Sequence, residues 1–390
     1  MKHTAYLAAA CLCTCAAHAT SPFISHVYEY RPAPGQFVNE LPEYEEGDTY
    51  ESMLAKAAEQ LVGDRMPGMV TLGAFGGYVV FGFDHPVANK PGEPDFKIYG
   101  NAIISDRDRL GGSSEPGIVM VSRDDNGNGL PDDTWYELAG SEHGGSGLFK
   151  GFEITYTAPD PARAPVPDPA DKNVTDTAYI PWISNDPDAH SGFVTRNAYH
   201  AQSYWPMWME QTAEMRFSGT RLPANAEDVN GDGSYYVLRC YGWGYADNLP
   251  NTEDKGFDIG WAVDSEGRPV ALSSIDFVKV YTAVCQTCGS LGESSTEISG
   301  AEDLHPAYVS GTENISTGSL LLITAQDASS LKVRTDRESL PYSIYASSGA
   351  IVSRGVLTLG GNAIDTAHLP AGLYLLATEA GTLRFMKHGL

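Results

Sequence analysis

The chain has 390 residues, enough for two or three domains, and a formal net charge of -25 from 50 acidic and 25 basic residues. That balance gives nucleic acid no electrostatic purchase, and no stretch is apolar for long enough to read as a membrane-crossing helix. With 41 glycines, 24 prolines and 10% aromatics, the composition favours short strands and turns.

Residues 1–19 read as a secretory signal, with Lys2 as the positive start, an apolar run over 5–17 and Ala17-His18-Ala19 as a small-x-small cleavage site. The run ending at Cys11 offers a lipoprotein alternative on a shorter apolar stretch, and cleavage after Ala19 is preferred. The protein is therefore expected to be exported and soluble unless something attaches it afterwards. The remainder keeps Cys240, Cys285 and Cys288, so at most one internal disulfide can form. Cys285-Gln-Thr-Cys288 lacks the second pair that a zinc site needs, and a loop staple or buried thiols is expected.

Residues 20–47 are irregular, because Pro22, Pro32, Pro34 and Pro42 prevent helix. Asp48 and Thr49 then cap a helix whose apolar stripe is Met53, Leu54, Ala57, Ala58, Leu61 and Val62, and Gly63 ends it. From Met69 onward the pattern is short strands, at 76–83, 96–99, 118–121, 135–138, 152–156, 235–240 and 275–281. The proline-rich stretch 157–175 reads as a long surface loop. Residues 286–306 lose apolar periodicity and read as a linker. Beyond it, runs at 319–324, 331–334, 342–345, 351–357 and 373–377 are candidate strands. The expected architecture is all-β. A jelly-roll or β-sandwich main domain with one N-terminal helix spans 20–285, and a small immunoglobulin-like sandwich spans 307–390.

Two loops carry the alternating Asp/Asn pattern of calcium sites. In D-x-[DN]-x-[DN]-G, Asp124, Asn126 and Asn128 take positions 1, 3 and 5, Gly129 position 6, Leu130 position 7 through its carbonyl, and Asp132 position 9. Alternate side chains in so tight a loop converge on one point, as a hard cation requires. Trp135 stands where an EF-hand has its bidentate Glu, so Asp133 or Glu137 would complete the shell. The copy at Asp228, Asn230, Asp232, Gly233 and Ser234 matches the first positions and then diverges at Arg239. Asn-Gly hairpin turns are the alternative reading of the first loop. Ca²⁺ held structurally is the expected cofactor.

Aromatic residues concentrate at Tyr204, Trp205 and Trp208, and again at Trp243 and Tyr245 beside glycines. Rings of this kind either stack on sugars and flat ligands or cap the ends of a sandwich. No nucleophile elbow, metalloprotease helix, P-loop or dinucleotide fingerprint occurs. Glu115, Asp254 and Asp258 could still meet as a carboxylate pair for glycoside hydrolysis.

Residues 345–354, Ala363-Ile-Asp365, Leu369-Pro-Ala-Gly372-Leu-Tyr-Leu-Leu376 and Leu383-Arg-Phe-Met-Lys387 resemble the C-terminal sorting domain of type IX secretion cargo in Bacteroidota. The resemblance implies the secretion machinery as a partner, with release or surface attachment afterwards. The body is similar to a family of Bacteroidota cell surface proteins. Val27-Tyr-Glu-Tyr-Arg-Pro, Gly76-Gly77-Tyr78, Asp95-Phe96-Lys-Ile-Tyr-Gly-Asn101, Ser114-Glu115-Pro116-Gly117 and Gly256-Phe-Asp-Ile-Gly-Trp carry that similarity. Some similar proteins are associated with corrinoid uptake. The expected function is a calcium-stabilised surface binding protein for a small molecule or glycan. A glycan-cleaving hydrolase and a structural or adhesive surface protein are the alternatives.

Overall fold

Ile118, Met120 and Tyr281 bury one side of a six-stranded sheet, and Val119, Val121, Val278 and Val280 bury the other. A sheet covered on both faces has no solvent side to alternate with, which is why 118–121 reads as an unbroken apolar run. The strands lie in the order His26–Arg31, Tyr78–Ala88, Ser274–Thr282, Gly117–Ser122, Trp135–Leu138 and Ala262–Val263, each antiparallel to its neighbour. The computed structural model describes residues 20–105, 108–209, 211–306, 308, 321–326, 329–335, 337–346, 350–378 and 381–387. The expected signal segment, with Cys11, lies outside the described residues.

On one face sits a four-stranded antiparallel sheet, ordered Ser191–Asn197, Val174–Ser184, Phe149–Thr157 and Glu214–Arg221. Phe152, Ile154 and Tyr156 share one parity along their strand and pack with Phe75, Ile118, Phe217 and Tyr281, so the two sheets form a β-sandwich. On the other face lie the helix Tyr50–Leu61 and several short ladders. Thr49 caps the helix: its Oγ1 accepts from the Ser52 N–H (3.4 Å), while the Thr49 N–H donates back to Ser52 Oγ (2.8 Å). Met53, Ala57 and Leu61 form its buried stripe. Gly63 follows at φ 94°, a conformation open to glycine, and its N–H donates to Ile24 O (3.0 Å).

The stretch 286–306, expected as a linker, is instead woven into this domain. Glu297–Ile298 pairs with Val70–Thr71, and Gly300–Asp303 pairs with Phe96–Tyr99. Residues 293–301 are buried throughout. Their hydroxyls and carboxyls find partners in the main domain, so polarity here does not mean solvent. No disulfide joins Cys240, Cys285 or Cys288 among the described residues. Burial pushes Cys285 up to about 11 and Cys288 up to about 12, so neither is a ready thiolate.

The C-terminal segment forms its own small sandwich. Leu321–Gln326, Ser330–Thr335 and Gly360–Asp365 make one sheet; Ile351–Leu357, Leu340–Ala346, Gly372–Thr378 and Gly381–Lys387 make the other. Leu331, Val333, Leu340, Ile344, Leu376 and Phe385 are among its core residues, giving the expected immunoglobulin-like module.

Candidate functional site

The aromatic residues singled out in the sequence separate into different environments. Tyr204 (0% exposed), Trp205 (3%) and Tyr245 (4%) are core residues, so none of the three is an exposed stacking ring. Tyr204 OH accepts from the Asn197 N–H (3.2 Å), and Tyr245 OH accepts from the Glu142 N–H (3.0 Å), which satisfies the polar tip of each. Trp208 is half-buried, stacked between Tyr30 and Tyr44. Trp243 is the exposed one at 45%, tilted against Trp261 with ring centroids 4.6 Å apart.

Trp205 nevertheless borders a cleft of about 550 Å³ with Tyr179, Arg163, Arg196, Asp176 and Met207. One wall is the proline-rich loop expected at 157–175. Asp176 pins that loop: Arg163 Nη2 donates to its Oδ2, and the N–H groups of Val166 and Ala178 donate to its Oδ1, each at 3.1 Å. Across the cleft the Arg196 guanidinium lies 5.1 Å from the Tyr179 ring centre and donates to Gln202 O (3.1 Å). Among the described residues Arg196 makes no ion pair. Tyr179 in turn meets the Tyr204 ring edge-on at 5.4 Å, so the wall is built back into the core.

The two Asp/Asn loops have closely similar geometry. Asp124 accepts from the N–H groups of Asn128 (3.1 Å) and Gly129 (2.9 Å); Asp228 accepts from those of Gly231 (3.0 Å) and Gly233 (2.7 Å). Gly127, Gly129, Gly231 and Gly233 all take φ between 71° and 78°, the left-handed turn such a loop requires. Asn126 and Asn128 converge on Asp132, with contacts of 3.0 Å for each Nδ2. Asp133 accepts from the Asp125 N–H (3.1 Å), and the Leu130 N–H donates to Asn128 Oδ1 (2.8 Å). In the second loop Asn230 donates to Ser234 Oγ (2.9 Å), and the Ser234 N–H donates to Asp232 Oδ1 (3.0 Å). Both loops are thus closed by hydrogen bonds from their own backbone and amide side chains to their Asp, Asn and Ser oxygens.

A third polar cluster joins residues that lie far apart in the sequence. Glu115, Asp247 and Glu297 each place a carboxylate oxygen within 4.8 Å of the others, in the interior of the main domain. Asp254 and Asp258, the partners considered for Glu115, serve as local turn acceptors for Gly256 and Gly260 instead. Asp247 Oδ1 takes the N–H groups of Asn101 (2.7 Å) and Ala102 (2.8 Å), and its Oδ2 takes that of Glu297 (3.1 Å). Asp247 is also held at φ 50°, the one non-glycine with positive φ among the described residues. Gly100 makes room for it, since a Cβ there would lie 2.3 Å from Asp247 Oδ1. Glu297 Oε1 accepts from Thr71 Oγ1 (3.0 Å) and Ser295 Oγ (2.8 Å), and Glu115 Oε1 accepts from the Ser295 N–H (2.9 Å).

Burial, then repulsion between neighbouring carboxyls, raises Glu115 well above the usual range and pushes Glu297 up to about 8. Burial alone pushes Asp247 up to about 7 and Glu293 up to about 8 against the pull of their backbone donors. Glu293 stands close enough for its charge to act on both Glu115 and Glu297. The legible signal was parity: Glu293, Ser295 and Glu297 fall on one side of an extended chain, whereas the stretch read as a polar spacer.

No protein-family model and no curated protein matches the chain. Among solved structures, a crystal structure of native alpha-2-macroglobulin from Escherichia coli spanning domains MG0-NIE-MG1 is similar at 10% identity, covering 85% of this chain and 99% of that one at a TM-score of 0.15. At that score the likeness carries no argument, and the all-β sandwich assignment rests on the strands and cores themselves.

Proposed function

We propose that the chain is an exported, calcium-stabilised surface binding protein whose main domain takes a small molecule or glycan in the cleft beside Trp205. The observation that carries this reading is Arg196. It is half-buried, laid over a tyrosine ring and without a carboxylate partner among the described residues, in a chain with 50 acids against 25 bases. A stacked guanidinium on the wall of an aromatic cleft fits a ligand with a ring face and an anionic group. A uronate-bearing glycan and a corrinoid with its nucleotide phosphate both meet that description. The loops at Asp124 and Asp228 hold Ca²⁺ away from the cleft and fix the long connections they belong to. The C-terminal sandwich is the part that the secretion machinery reads.

Isothermal titration of the full chain with neutral oligosaccharides, uronate oligosaccharides and corrinoids tests the reading. One class is expected to bind, and Arg196→Ala is expected to abolish that binding with an unchanged melting temperature. Failure of every ligand class, or full binding by Arg196→Ala, would overturn it. Release of cleaved sugar during the titration would favour the hydrolase alternative instead.

A further inference from the structure

We infer that half-buried Glu115 and buried Asp247 and Glu297 form a site for a hard divalent cation of the Ca²⁺ class, separate from the two surface loops and from the ligand cleft. Oxygens bound to one Ca²⁺ lie about 2.3–2.6 Å from it and hence within about 5 Å of one another. The three carboxylates meet that limit at 4.8 Å. Around them stand hydroxyls, backbone amides and the Asn101 side-chain amide, whose Nδ2 donates to Glu297 Oε2 (3.4 Å). The hydroxyls of Thr71 and Ser295 sit on Glu297, and no sulfur or imidazole joins the set among the described residues.

Among the described residues no lysine or arginine pairs with any of the three carboxylates, so they lack a counter-charge. Three backbone N–H groups donate to Asp247, two to Oδ1 and one to Oδ2, which leaves an Oδ2 lone pair open to a cation. A buried carboxylate is ordinarily paired or bound to a metal.

A fourth carboxyl points to the same need. Glu293 is 5% exposed; its Oε1 accepts from the Gln36 N–H (2.6 Å), while its Oε2 is buried with no hydrogen-bond partner among the described residues. Glu293 and Glu115 border one cavity of about 320 Å³, shared with Ser294, Asn197 and His200. Of the three carboxylates Glu115 alone borders this cavity, whose volume admits water molecules that complete the shell from the Glu115 side and give the orphaned oxygen its partner.

The test is the number of ions bound by the full chain. In a protein carrying Asp124→Asn and Asp228→Asn, which disable the surface loops, Tb³⁺ luminescence and Ca²⁺ calorimetry are expected to find one remaining ion. Adding Glu115→Gln to that background is expected to remove it while the circular dichroism stays unchanged. No ion in the loop-disabled protein, or an ion that survives Glu115→Gln, would overturn the proposal. If Glu115→Gln does not fold, crystals of the unsubstituted chain grown with Tb³⁺ decide the matter. An anomalous peak among the three carboxylates supports the site, and a flat map there overturns it.

Discussion

Residues 124–133 and 286–303 look alike on paper, each rich in Asp, Glu, Ser, Asn or Gly, yet the fold treats them in opposite ways. The first is an exposed loop whose polar side chains bond to their own backbone and to each other. The second enters the interior from Gly292 onward, with Glu293, Ser295, Thr296, Glu297 and Ser299 all buried. What separates them is who satisfies the polar groups. Gly127 and Gly129 let the loop turn on itself, whereas Thr71, Asn101, Asp247 and Glu115 receive the second segment from outside. Charge density therefore tells little about depth, and the supply of partners decides it.

Substitutions of equal chemistry in the two regions should separate them widely. Ile298→Ala, at a fully buried position packed in the main core, is expected to cost about 2–5 kcal/mol in urea denaturation. Gly100→Ala comes next: its new Cβ collides with Asp247 Oδ1 and pushes the carboxylate off two amides, for an expected loss of about 1–3 kcal/mol. A loss under a few tenths of a kcal/mol would mean that Asp247 is not held as described.

A pH series on chelated protein gives a smaller, directional effect. Asp247, Glu293 and Glu297 are raised in the folded state to about 7, 8 and 8, above the value near 4 of an unfolded carboxyl. Their protonated forms stabilise the fold below that unfolded value, and the contribution is lost as pH rises through 7 to 8. The melting temperature without Ca²⁺ should thus fall from pH 5 to pH 8, and excess Ca²⁺ should flatten the fall. A chelated protein that melts higher at pH 8 would have the sign wrong. Smallest of all is Leu130→Ala in the exposed loop, expected to shift stability by no more than about 0.5 kcal/mol.

Much of the fold was legible because its signals are local. The apolar stripe from Met53 to Leu61 and its Thr49 cap specify the helix, and the unbroken run at Ile118 announces a strand covered on both faces. The C-terminal strands were legible where aliphatic residues dominate; Gly360–Asp365 and Gly381–Lys387 were not, being opened by glycine. The carboxylate cluster stayed hidden because its members are distant in sequence: Glu115 precedes a strand, Asp247 ends an aromatic loop and Glu297 lies in a short ladder. The sequence singles out Glu115 alone of the three, beside Asp254 and Asp258, which the fold uses in local turns. The aromatic residues misled in another way, since large rings dominate cores as readily as binding faces. Trp205 does both, buried in itself while its edge borders the cleft.

Hydrogen exchange measured residue by residue tests the central contrast most directly. The amides of Ser295 and Glu297, donated to Glu115 and Asp247, should exchange as slowly as that of Val280 in the middle of the six-stranded sheet, while Gly127 exchanges at the rate of a free loop. Exchange of Ser295 and Glu297 as fast as Gly127 would return residues 286–303 to a solvated linker and dissolve the buried site with it.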